Sequence, residues 1–147
     1  MPLLDVSLPL GSVPQEKKPT LITGLAEAVL DAMGLPASDF FRGATWVHLH
    51  EISPENSGTG SGAGEPHFTA TVTALSGFLD AARNEALGAR LSALILDSAG
   101  LDASKSALVW TIVQEIPEGS WAIGGGLTRR ANIDAFIAEA EAQARVG

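Results

Sequence analysis

Leu4, Val6, Leu8 and Leu10 alternate with Asp5, Ser7 and Pro9, a period of two that predicts a strand over residues 2–10 with one buried face. Gly11 to Pro14 turns the chain. From about Gln15 to Met33 the apolar residues Leu21, Leu25, Ala28, Val29 and Ala32 recur at three and four, predicting an amphipathic helix that Pro19 delays at its start and Gly34 and Pro36 stop. Thr45 to Ile52 reads as a second strand, Ser53 to Pro66 as a Gly- and Ser-rich connector, and Phe68 to Leu75 as a third strand. Asp80 is placed to cap a helix that runs to Ala99 on Leu87, Leu91, Leu94 and Ile95. Leu108 to Ile116 follows as a fourth strand, then Trp121 to Leu127 crosses a Gly124-Gly125-Gly126 turn. A last helix rich in Ala and Glu occupies Asn132 to Ala144, within a C-terminal extension of residues 131–145.

The second half of this pattern repeats the first. Leu30, Asp31, Gly34, Leu35, Ala37 and Ser38 return as Leu96, Asp97, Gly100, Leu101, Ala103 and Ser104 at a constant offset of 66. At an offset of 64, Trp46, Glu51, Ile52, Gly60 and Gly62 fall on Trp110, Glu115, Ile116, Gly124 and Gly126. A fixed internal period outranks local signals. The chain therefore reads as one α/β domain over residues 1–147, made of two fused βαβ units, 2–64 and 67–127. Right-handed crossovers predict a four-stranded sheet with both long helices on one face. Val47, Leu49, Val109 and Val113 form the helix-facing set, while Trp46, His48, His50 and Ile52, with Trp110, Ile112, Gln114 and Ile116, line the other side. An uncovered face carrying two tryptophans predicts a homo-oligomer that packs sheet against sheet.

Composition narrows the partners. Nine basic against 17 acidic residues give a net charge of -8, which repels a phosphate backbone and an anionic membrane surface alike, so neither nucleic acid nor membrane is expected. The absence of cysteine excludes disulfides, thiolate catalysis and Cys-ligated metal. No apolar run approaches a membrane span, and Met1-Pro2-Leu3-Leu4-Asp5 lacks the cationic start and apolar core of a signal peptide, so a cytoplasmic location is expected.

The two units differ at their heads. The position equivalent to Pro2 lies near Phe68, in mid-chain, so only Pro2 can carry a free amine once the initiator Met is removed, as is usual before a small residue. An α-amino group titrates at about 7.7–8.0, and desolvation lowers that value, giving a neutral base near pH 7. Such an amine suits proton transfer beside a carbonyl, or iminium formation with an aldehyde or ketone.

Pro2 after Met1, the doubled βαβ unit, and Glu115-Ile116-Pro117-Glu118-Gly119-Ser120-Trp121-Ala122-Ile123-Gly124-Gly125 resemble the tautomerase superfamily over roughly residues 2–127. The double-unit length is similar to its malonate semialdehyde decarboxylase and macrophage migration inhibitory factor branches, whereas 4-oxalocrotonate tautomerase uses one unit per chain. The resemblance implies a homotrimer and a keto–enol isomerase that needs no cofactor and no metal. Pro2 would be the general base or acid, Asp39 would orient water or substrate, and Trp121 would wall the pocket. Lyase or hydratase turnover is the side activity it implies.

Three carboxylate anchors of the family are missing from their usual places: Ser12 follows Gly11 where the short tautomerases have an arginine, Trp46 and Trp110 occupy the strand position of a second, and Gly77 and Leu79 stand where the decarboxylase-like branch has paired arginines after the third strand. A small, weakly charged carbonyl compound is therefore the expected substrate, unless Arg42, Arg83, Arg129 or Arg130 enters the pocket from elsewhere. Arg129 and Arg130 are the substrate-binding candidates. A non-catalytic trimeric relative that binds a small ligand or a protein is the alternative. A further alternative uses His48, His50 and His67 as metal ligands, since His48-x-His50 puts two imidazoles on one strand face.

Overall fold

The computed structural model describes residues 1–147. Strands β1 (Leu3–Pro9), β2 (Trp46–Ile52), β3 (Phe68–Leu75) and β4 (Val109–Ile116) form one mixed sheet in the order β2-β1-β3-β4. β1 runs parallel to β2, β3 parallel to β4, and the two units meet antiparallel at β1 and β3. Helices α1 (Lys18–Met33) and α3 (Ala81–Ser98) lie on one face of the sheet. They bury Leu21, Leu25, Val29, Leu87, Leu91 and Ile95 against Leu4, Val6, Leu8, Phe68, Ala70 and Val72. Val109 is buried with this core, and Val47, Leu49 and Val113 pack against it, as the alternation predicts. α1 starts at Lys18 after one 3₁₀ turn at Gln15–Lys17, with Pro19 in its first turn, where the missing N–H costs no helical bond.

The strongest stretch of the repeat has a local cause. Gly34 adopts φ 68° and ψ 27°, its N–H reaches Asp31 O, and Leu35 N–H reaches back to Leu30 O. Gly100, Leu101, Asp97 and Leu96 repeat the same pair of bonds, with Gly100 at φ 69°. This is a left-handed helix stop with an apolar residue beyond it, and glycine tolerates that backbone without a Cβ clash. The matching Leu-Asp-x-x-Gly-Leu segments are thus the two helix ends. Arg90 on α3 then ties the helices together through Asp31 on α1, at 2.6 Å.

Two elements go beyond the expected pattern. A short helix α2 (Asp39–Gly43) precedes β2, capped by the Ser38 hydroxyl, which accepts from Phe41 N–H at 3.3 Å. It drives Phe41 into the core, and Asp39 lies exposed in its first turn. Helix α4 spans Arg130–Val146, longer than expected at both ends. It anchors in its own chain through fully buried Ile133 and through Phe136, whose ring lies 4.5 Å from that of Phe40. Between β4 and α4, β5 (Ala122–Ile123) and β6 (Gly126–Leu127) make a hairpin around the Gly124-Gly125 turn. No helix is long and apolar enough to cross a membrane.

Candidate active site

Because β3 is antiparallel to β1, the C-terminal ends of β3 and β4 lie at the end of the sheet where β1 and β2 begin. Continuing the Leu3–Thr73 register by two places sets the head of the chain opposite Leu75. Trp46 N–H donates to Pro2 O at 3.2 Å on the other side. The end of α1, helix α2, the start of α3, the loop after β3 and the hairpin after β4 all arrive at this same end. Pro2, Asp39, Trp121 and Arg130 are therefore gathered at one pole of the fold, far apart though they are in sequence.

Pro2 is buried and Met1 is only 7% exposed. Burial lowers the Met1 amine from 8.0 to about 6, because the ammonium form loses its hydration there. In a chain that retains Met1, the amine is protonated when unfolded and neutral when folded between about pH 6 and 8. The unfolded state then binds the extra proton, so stability rises with pH across that window, and the increment is absent below about 6 where both states are protonated. Urea midpoints at pH 5.5 and 8.5 are expected to show the rise, and an N-acetylated chain to lack it. Equal pH dependence in the two would remove this amine as the cause.

Two guanidinium groups converge on the loop after β3, where the sequence itself places Gly77 and Leu79. Arg130 Nη1 donates to Gly77 O at 3.0 Å, its Nε donates to Asp134 at 3.0 Å, and its carbon sits 4.1 Å from the centre of the Phe78 ring. Gly77 has φ 99°, a backbone that favours glycine, and a Cβ there would stand 3.0 Å from Arg130 Nη1, so the guanidinium would have to give way by a few tenths of an ångström. Arg83, from the first turn of α3, donates through Nη1 to Phe78 O at 3.0 Å and to Ala32 O at 3.3 Å. Its orientation follows from the cap of its own helix, since Asp80 accepts from Arg83 N–H at 2.8 Å. The two arginines line one open cleft of about 490 Å³ with Phe78, Asp80 and Ile137.

Arg129 contributes differently: it is exposed and forms the N-terminal cap of α4, its N–H donating to Asn132 Oδ1 at 3.2 Å. Trp121 is half-buried against the core and accepts from Thr128 N–H through its carbonyl. Arg83 was legible in sequence only as a general possibility. Its signal is the Asp80 cap three residues before it, which fixes where the first turn of α3 points.

His67 does not join His48 and His50. Its ring is bound to Ser57 and to Glu65 O, whereas the other two rings both bind Asp5 on the open sheet face. The three-histidine ligand set is thereby corrected, because the connector holds His67 away from that face.

This architecture is the tautomerase-superfamily fold. It superposes with Pt0534 inactivated by 2-oxo-3-pentynoate at a TM-score of 0.73 and 22% identity, covering 88% of this chain and 98% of that one. A fused 4-OT solved as an asymmetric trimer matches at a TM-score of 0.67 and 28% identity, over 85% of this chain and 94% of its own. A member of the cis-3-chloroacrylic acid dehalogenase family matches at 0.72 and 20% identity, over 91% and 88%. No known family's sequence signature and no curated protein matches the chain. The structural neighbours are thus tautomerase-superfamily members by fold, isomerase-like and dehalogenase-like among them.

Proposed function

We propose that the protein is a homotrimeric keto–enol tautomerase in which Pro2, freed by removal of Met1, is the base and acid. The carrying observation is the desolvated amine at the head of β1, at the pole of the sheet where two guanidinium groups converge. Pro2 is itself buried, and desolvation of an amine at this position disfavours its ammonium form. A neutral Pro2 nitrogen takes the proton from the carbon beside the substrate carbonyl. The electron pair moves onto the carbonyl oxygen, and the ring ammonium then returns the proton to oxygen or to a conjugated carbon. Asp39 orients substrate or water, and Trp121 closes one side of the pocket.

Arg83 and Arg130 alter the expected substrate. Arg130 keeps its Nη2 donors clear of intramolecular bonds, although Asp134 offsets part of its charge. A small 2-oxo acid fits this pair better than a neutral carbonyl, with the arginines holding its carboxylate. Arg129 caps α4 through its backbone N–H, so its exposed guanidinium stays available as a second contact for the carboxylate. The open sheet face, where Trp46, Trp110 and Ile112 are 63%, 67% and 46% exposed, and the trimeric fused 4-OT neighbour support the trimer.

Ketonisation of the enol form of a 2-oxo acid, followed by ultraviolet absorbance, tests the assignment. Arg130→Gln is expected to lower kcat/KM by roughly 10- to 100-fold, mainly through KM, with little change for the corresponding neutral amide. Equal losses on both substrates would take Arg130 out of carboxylate binding. 2-Oxo-3-pentynoate, which inactivates Pt0534, is the matching covalent probe.

A second reading rests on Met1 itself. Its buried side chain fills the head of β1 in the unprocessed chain. A protein that keeps Met1 has an amide at Pro2 and no base there, and serves as a binding scaffold instead.

A further inference from the structure

On the sheet face opposite the helices, Asp5 of β1 pairs in register with His48 of β2, and His50 stands two residues further along the same side. Asp5 Oδ1 lies 3.3 Å from His48 Nδ1 and 2.8 Å from His50 Nε2, and one donor atom from each of the three residues lies within 4.8 Å of the other two. We propose that Asp5, His48 and His50 form a binding site for a divalent first-row transition ion, Zn²⁺ foremost.

The donor set carries the choice of ion. Two imidazole nitrogens and one carboxylate oxygen are borderline ligands, suited to Zn²⁺, Co²⁺ or Ni²⁺ and poorly suited to Mg²⁺ or Ca²⁺, which take mainly oxygen. Bonds of about 2.0–2.2 Å imply ligand-to-ligand edges of roughly 3.0–3.5 Å, close to the two separations already present. The ion replaces the shared protons between the rings and Asp5, so the backbone has little to rearrange.

Surroundings favour a cation as well. The positions that share this face are Leu3 and Ser7 on β1, Trp46 on β2, Thr69, Thr71 and Thr73 on β3, and Trp110, Ile112 and Gln114 on β4. None is basic, and the ion-pair partners of Asp5 are the two histidines alone. The chain's net charge of -8 adds a favourable long-range field. Three protein ligands leave a fourth position above the sheet face, which a water completes in the single chain and which, in the proposed trimer, lies between copies. Pro2, Leu4 and Val6 alternate to the helix side, so this site and the amine pole occupy opposite faces of β1.

The test is titration of the untagged, metal-stripped protein with Co²⁺, read by visible absorption, with Zn²⁺ added afterwards. The expected result is one Co²⁺ per chain, displaced by Zn²⁺. His50→Gln and Asp5→Asn should each weaken uptake at least tenfold, since loss of an outer-shell partner alone typically costs 10- to 100-fold. His67→Ala should leave it unchanged, and so should Pro2→Ala, which separates this outcome from that of the catalytic proposal. Circular dichroism establishes that each variant is folded, and imidazole NMR signals of the wild-type protein under Zn²⁺ identify the rings directly if one is not. No uptake by folded wild-type protein would overturn the site, as would uptake unaffected by His50→Gln or ring signals that shift at His67 alone.

Discussion

Replacing Pro2 by alanine is expected to cut tautomerase turnover by about 10²- to 10⁴-fold while leaving the melting temperature nearly unchanged. Alanine at this position keeps a free amine but loses the secondary nitrogen and the ring that fixes its direction. The loss should fall mostly on kcat, because in the proposed mechanism the amine acts on the reacting carbon and the arginines from α3 and α4 hold the carboxylate. Steady-state kinetics of processed wild-type and Pro2→Ala protein check this. Turnover within a few-fold of wild type would remove Pro2 from the chemistry.

Truncating Ile133 to alanine carries the largest expected effect on stability. Ile133 is fully buried in the core and, with Phe136 against Phe40, ties α4 to the rest of the chain. Deleting a buried Ile side chain leaves a cavity that costs about 2–5 kcal/mol. For a chain of this size that corresponds to a fall in Tm of roughly 5–20 °C. The consequence reaches the cleft, since Arg130 opens α4 and its bond to Gly77 O depends on the helix staying docked. Weaker binding of an anionic substrate should accompany the lower Tm. Val146→Ala, at a residue 91% exposed near the end of the same helix, is the control and should move Tm by no more than a degree or two. A melting temperature for Ile133→Ala equal to that of the control would mean that α4 is not anchored in this way.

What the sequence made legible is what depends on local pattern. Alternation along Leu4, Val6 and Leu8 marked the buried side of β1, and the doubled Leu-Asp-x-x-Gly-Leu segment marked two helix ends that the structure resolves into the same left-handed stop. The open face and its exposed tryptophans followed from period-two counting. α2 was hidden because five residues carry too little periodicity. Its trace was Ser38 before Asp39, a cap and a first-turn acid, with Phe41 as the only buried side chain.

The site was harder, because its parts meet only through strand order and register. Asp5 looked like one polar member of an alternating strand until pairing set it beside His48, while His67 shared residue type with the pair but not its place. Arg83 and Arg130 meet at the loop after β3, from helices whose mutual approach no short motif encodes.

The most direct test of the central claim is the intact mass of the purified protein, before and after a small electrophilic 2-oxo acid at neutral pH, with peptide mapping of the adduct. The account predicts loss of Met1 and a single adduct on the Pro2 nitrogen, forming readily at a pH where an ordinary amine is mostly protonated. Retained Met1, or label spread over the lysines with none preferred at Pro2, would contradict it.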